Sequence, residues 1–172
     1  MLLNNVFLKL DMIMKQKVKF NTYSRIVTIG VLVLFVVGAF SLLDNPHDLL
    51  LFGVIMGITT ICGLYYCPVS LETDDSAITI HRLLSRRKRL MYSEIQSVDT
   101  CYPSAGGLRL CGSGGFFGYW GYFSDIMIGS YFGYYGSRNQ CILVRLKNGR
   151  QYVIGCENAV CMVDYVQGKM DK

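Results

Sequence analysis

Charge is what this chain has least of. Only 17% of its 172 residues are charged, against roughly 25% in a typical soluble chain. It has two histidines, three prolines and one tryptophan. It has no C-x-x-C pair, no G-x-x-x-x-G-K-[ST] string and no complete G-x-G-x-x-G. These absences argue against a Cys-based metal or redox site and against a nucleotide-phosphate cradle. The two histidines are remote from each other, and no nucleophile, base and orienting group are paired. His81 lies in an expected strand, and Asp74, Asp75 and Glu94 suit turn chemistry and strand solvation. No catalytic, cofactor-binding or metal-ligating residue is expected. Nucleic acid is not an expected partner either. From Pro68 onward there are twelve basic and nine acidic residues, a net charge of +3, with no recognition motif.

What the chain has instead is apolar sequence in long runs. Ile26 to Leu43 is eighteen residues without a charge, and Leu49 to Cys67 is nineteen more. At about 1.5 Å per residue, each crosses most of a hydrocarbon core roughly 30 Å thick. The residues that remain are too few to bury two such helices in a soluble fold. Asp44-Asn45-Pro46-His47-Asp48 between them suits a turn in water. The expected organisation is a basic N-terminal segment (1–25), a transmembrane hairpin (26–67, spans 26–43 and 49–67) and a cytosolic domain (68–172).

Orientation follows from lysine and arginine. Five precede the first span (Lys9, Lys15, Lys17, Lys19, Arg25), none lies in the loop, and twelve follow the second span. This bias places both termini and the domain in the cytoplasm, with the Asp-rich turn outside. A cleaved signal peptide is the weaker reading, because no small-x-small site follows the first run. Two readings of the start stay open. Met12 or Met14 serves as initiator, or Leu3, Val6, Phe7, Leu10 and Met14 form the apolar stripe of an interfacial helix.

Seven cysteines are present: Cys62, Cys67, Cys101, Cys111, Cys141, Cys156 and Cys161. The first two belong to the second span. In a reducing compartment the other five are expected as small packing residues.

After Pro68 the pattern shortens to strands. Val69 to Thr73, Ala77 to His81 and a region from Leu90 to Val98 read as strands, with Ile95 and Val98 inward. Cys141 to Leu146 and Tyr152 to Cys156 flank Asn148-Gly149, a strong hairpin signal. Glu157 to Gln167 turns helical, with Ala159, Met162, Val163 and Val166 on one face and Gly168 as the expected C-cap. Between these lies Gly106 to Gly136, with ten glycines, ten aromatic residues and a single acid, Asp125. It is too apolar for a solvated loop and too glycine-rich for an ordinary helix.

Arg109-x-Cys111-Gly112-Ser113-Gly114-Gly115-Phe116-Phe117-Gly118-Tyr119-x-Gly121-x-Phe123 carries a resemblance. Ile78-x-Ile80, Ser93-Glu94-Ile95-x-x-Val98, Ile142-x-Val144-x-Leu146 and Tyr152-Val153-Ile154 fit the same pattern. The chain resembles the bacterial pleckstrin-homology (PH)-like domain proteins, in the membrane-anchored form with two N-terminal spans. The resemblance implies a bent antiparallel sheet of seven strands capped by a C-terminal helix. It also implies a bacterial cytoplasmic membrane and no catalytic residues.

Three features are candidates for function. Arg86, Arg87, Lys88 and Arg89 form a basic turn suited to anionic lipid headgroups, or a solvated hairpin tip. Phe116, Phe117, Tyr119, Trp120, Tyr122 and Phe123 offer a protein-contact or self-assembly surface, a membrane contact, or a loop folded back on the domain. Gly53 and Gly57 form a small-x-x-x-small face for helix packing against the first span, through Gly30 or Gly38, or against another protomer. The leading expectation is a non-enzymatic membrane-tethered module for protein interaction or self-assembly. The alternative is a lipid-headgroup sensor.

Overall fold

The computed structural model describes residues 14–170. The expected apolar stripe at Leu3 to Leu10 and the candidate start at Met12 lie outside them. Met14 lies inside, in a strand rather than a helix.

Two long helices come first, α1 (Thr22–Ser41) and α2 (Pro46–Tyr66). Both start earlier than the expected spans, for local reasons. Asn21 caps α1, its Oδ1 accepting from the Ser24 N–H at 2.8 Å. Pro46 occupies the first turn of α2, where its missing N–H costs nothing. Asp48 therefore falls in that first turn, where its charge complements the helix dipole. Only 6% of each helix's most apolar window is buried, so these are not core helices of the domain. The two meet at Gly38, where an added Cβ would lie 2.6 Å from the Phe52 ring. Gly30, Gly53 and Gly57 have open space around them.

The domain is built from two sheets. The first runs β1 (Met14–Lys17), β2 (Pro68–Thr73), β3 (Ala77–Arg82) and β4 (Lys88–Met91), in that order and all antiparallel. β1 precedes the helices and pairs with the strand that follows them, Met14 against Thr73 and Lys17 against Ser70. A 3-10 turn at Tyr92–Glu94 divides the region expected as one strand, and β5 (Ile95–Cys101) begins beyond it.

The second sheet adds β6 (Leu108–Gly115), β7 (Gly118–Asp125), β8 (Gly129–Tyr135), β9 (Cys141–Leu146) and β10 (Gln151–Gly155), in the order β5-β9-β10-β8-β7-β6. Its β8–β10 pairing is parallel. Nine strands thus follow α2 among the described residues. The glycine-aromatic segment supplies three of them, whereas it reads in the sequence as a surface or a folded-back loop. The β9–β10 hairpin closes as expected, but only Gly149 takes a positive φ (82°), accommodating a three-residue loop.

α3 (Ala159–Met170) closes the domain and buries the expected face, Ala159, Met162, Val163 and Val166. The N–H groups leading into it and its first are met by side chains from elsewhere. Gln16 Oε1 accepts from Glu157 and Asn158, and Gln140 Oε1 accepts from Ala159. Gly168 lies inside the helix, not at its cap, because the helix runs on to Met170.

Two cores result. One lies between the sheets and under α3, with Leu71, Ile78, Ile80, Val98, Ile142, Val144 and Ile154 fully buried. The other covers the opposite face of the six-stranded sheet, where Tyr119, Phe123, Tyr131, Tyr135, Leu143 and Val153 pack together. Topology explains it. On a flat sheet Cys101 and Leu108 would stand about 30 Å apart, beyond the roughly 25 Å that the intervening chain reaches. The sheet curls, and its concave face becomes a core.

Candidate functional site

The glycine-aromatic composition has a packing cause. A Cβ on Gly133 would lie 2.8 Å from Tyr135 Cε1 and 3.0 Å from Phe123 Cε2. A Cβ on Gly155 would meet Tyr135 at 2.9 Å. Rings lie where neighbouring strands carry no side chain, an arrangement known from aromatic residues covering glycine in sheets.

The same segment ties the domain to the helices. The β6–β7 hairpin turns at Phe116–Phe117, and its tip lies between α1 and α2. Phe116 contacts Phe35 of α1 at 6.1 Å between ring centroids. A Cβ on Gly63 of α2 would meet Phe117 at 2.7 Å and Phe116 at 3.1 Å. Phe117 carries φ 53°, an unusual conformation for a bulky residue. Its N–H donates to Thr28 Oγ1 at 3.0 Å, and that hydroxyl lies 2.8 Å from the Ser24 carbonyl and 3.2 Å from the Gly115 carbonyl. The Phe116 carbonyl accepts from Ser113 Oγ and Trp120 Nε1. Surrounding contacts over-determine the strained turn.

The six aromatic residues expected as one surface are therefore dispersed. Tyr119 and Phe123 are 2% and 6% exposed, inside the curled sheet. Phe116 and Phe117 face the helices. Trp120 stacks on Tyr66, and Tyr122 alone is largely exposed, at 57%.

The basic turn lies at the helix-proximal end of the first sheet. Leu83 N donates to the Cys67 carbonyl at 3.1 Å, one residue past α2. Leu83 and Leu84 are 53% and 60% exposed, beside exposed Arg86 and Arg87. Lys88 and Arg89 belong to β4 rather than to the turn. Lys88 Nζ lies 4.6 Å over the Tyr152 ring. Arg89 points to the far end of the sheet, 2.8 Å from Asp74 Oδ2. Burial opposes ionisation of Asp74, but the N–H groups of Ser76 and Ala77, the Ser76 hydroxyl and Arg89 outweigh it and hold the carboxyl below its usual range.

Sequence reading missed Arg82, which organises this turn. Its guanidinium lies 5.6 Å from the Tyr65 ring of α2 and 5.7 Å from the Tyr134 ring, and Nη2 donates to the Arg86 carbonyl at 2.6 Å. The signal was an arginine at the end of an alternating strand, beside a run already rich in cations. His81, by contrast, faces Glu72 at 2.9 Å. Among the described residues no group of three or more His, Cys, Asp or Glu side chains converges.

Cations collect at one end of the domain. Lys17, Lys19, Arg25, Arg82, Arg86 and Arg87 gather at the helix-proximal end, where Glu157 pairs with Lys19 at 2.7 Å. At the opposite end the turn acids Asp74 and Asp75 are paired with Arg89 at 2.8 Å and Lys169 at 2.7 Å.

Residues 69–170 match the family model described as bacterial PH domain. No curated protein and no solved structure matches the chain.

Proposed function

Since the chain belongs to the bacterial PH domain family, we propose that it is a non-catalytic interaction module, held at the cytosolic face of a bacterial membrane by α1 and α2, whose β3–β4 turn engages anionic lipid headgroups. One observation carries the reading. Leu83 and Leu84 project beside Arg86 and Arg87 within a few residues of the end of α2. With α2 in a bilayer, two apolar side chains at the acyl boundary and two guanidiniums at the phosphates are what this reading expects. Each cation near an anionic leaflet contributes about 1 kcal/mol of attraction. The tether makes the contact intramolecular, so modest energies suffice to distinguish headgroups.

The test uses full-length protein in lipid nanodiscs, with a polarity-sensitive dye on Leu84→Cys. Dye emission is expected to shift to the blue as phosphatidylglycerol replaces phosphatidylcholine. Arg86→Ser/Arg87→Ser/Lys88→Ser should remove that dependence, as should high salt. Emission indifferent to headgroup charge would sink the reading.

A second reading, self-assembly, is favoured by the outer edge of the six-stranded sheet. Among the described residues β6 pairs only with β7, and Leu108 and Leu110 on it are 71% and 64% exposed. The open face at Gly53 and Gly57 is compatible with it. Light scattering in detergent tests it: Leu108→Lys/Leu110→Lys should turn a defined oligomer into a monomer, and a native monomer removes the reading.

A further inference from the structure

We propose that Arg109 and Arg138 form a clamp for the phosphate of an anionic lipid on the concave face of the six-stranded sheet, separate from the β3–β4 turn. Gly114 of β6 and Tyr119 of β7 are direct cross-strand partners, so their side-chain positions lie about 5 Å apart on one face. The Arg109 side chain folds back along its own strand to cover Gly114, where an added Cβ would lie 2.9 Å from Nη1. The Arg138 guanidinium covers the Tyr119 ring at 4.8 Å. The two guanidiniums thus stand over one cross-strand pair. They line a single cleft of about 380 Å³ together with Ser104, Tyr131 and Tyr135.

Among the described residues neither arginine makes an ion pair. Arg138 Nε is buried without a hydrogen-bond partner. A buried donor on a charged group is costly to leave unmet. Asp125, the last residue of β7, accepts from the Ser104 and Met127 N–H groups, both at 2.8 Å. Two guanidiniums lining one cleft repel unless an anion lies between them, and phosphate matches their planar forks. Gly114 supports the assignment, because its φ lies outside the left-handed region. Its missing side chain serves space rather than backbone, and Arg109 fills that space.

Position identifies the phosphate as a lipid's. Arg138 lies two residues beyond Gly136, whose carbonyl accepts from the N–H of Asn21, the N-cap of α1, at 3.0 Å. The cleft therefore adjoins the first turns of α1, which is the phosphate layer when α1 spans a bilayer. The inference rests on that membrane placement but not on the β3–β4 turn.

The test is native mass spectrometry of the full chain in detergent, with phosphatidic acid, phosphatidylcholine or inorganic phosphate added. Wild type should retain phosphatidic acid in preference to phosphatidylcholine. Arg109→Gln/Arg138→Gln should lose that retention by about tenfold, as loss of charged hydrogen bonds produces. Arg86→Ser/Arg87→Ser should keep it, so the clamp and the turn fail separately. Gly114→Ala, which displaces Arg109 but keeps both charges, should also weaken retention, with Trp120 emission reporting an intact fold. Retention equal to wild type in the double Gln variant overturns the clamp. Displacement of the lipid by an equal concentration of inorganic phosphate overturns the lipid assignment.

Discussion

The indole of Trp120 lies flat on the phenol of Tyr66, ring centroids 5.1 Å apart and planes 13° from parallel. One ring belongs to β7 and the other to the last turn of α2, so the pair joins the sheet to the helix. Trp120 is the chain's one tryptophan, and its fluorescence reports this joint directly. Tyr66→Leu keeps apolar bulk and loses the stack. It should redden the emission and cost about 1 kcal/mol in thermal or denaturant unfolding. Unchanged emission would mean that the joint is not formed in solution.

Thr28 gives a second handle on the same joint. Thr28→Val removes the hydroxyl that accepts from the strained Phe117 N–H. Leaving that N–H unmet should destabilise by about 1–3 kcal/mol. Thr28→Ser should restore most of the loss, which separates the hydrogen bond from the methyl's packing.

Glycines should divide by what lies above them. Gly121→Ala places a Cβ 2.1 Å from the Cys111 carbonyl at φ 117°, and should cost more than about 4 kcal/mol or prevent folding. Gly63→Ala drives into Phe117 and Phe116 and should cost about 1–3 kcal/mol. Gly57→Ala meets nothing among the described residues and should leave stability unchanged or raise it by up to about 1 kcal/mol. Loss of an oligomer in the Gly57 variant would show that copies pack there. Chemical-denaturant midpoints of the three variants decide the ranking.

Acid should loosen the far end of the first sheet. The folded-state Asp74 carboxyl is held below its usual value, so its stabilising effect is complete above about pH 4 and fades as pH falls through the folded value. Asp74→Asn should unfold at lower denaturant than wild type near neutrality. The gap should close below about pH 4. A gap independent of pH would exclude the carboxylate charge as its source.

Thiol chemistry should follow burial. Burial pushes the Cys101 and Cys156 thiols up to about 12, and Cys141 well above its ordinary value. Maleimide on the native protein should label exposed Cys111 and Cys161 and spare those three. Peptide mapping after the reaction checks it, and rapid labelling of Cys141 would contradict the fold around β9.

Much of the fold was legible because some segments repeat one physical rule. The two apolar runs, the Asn148-Gly149 hairpin and the inward face of α3 each follow length, turn chemistry or helical period. The glycine-aromatic strands were not, because their alternation sets rings against glycine rather than apolar against polar. β1 was hidden for a different reason: four residues, Met14 to Lys17, become a strand only because β2 lies beside them. The candidate sites were half legible. Arg86 and Arg87 stand out in a basic run, whereas Arg82, Arg109 and Arg138 acquire roles only from rings and glycines on other strands.

The β1–β2 pairing has a consequence for biogenesis. Lys17 and Ser70 lie side by side with both helices between them in the chain. β1 leaves the ribosome first and has no partner until α1 and α2 have been synthesised. With the helices handed to a bilayer on the way, closure of this sheet becomes a late event, available only to a chain whose helices have returned to the same side. The strand pair then works as a latch that records completed insertion, and Gln16, on that strand, extends the record to the approach of α3 by accepting from Glu157 and Asn158, the two residues that lead into it.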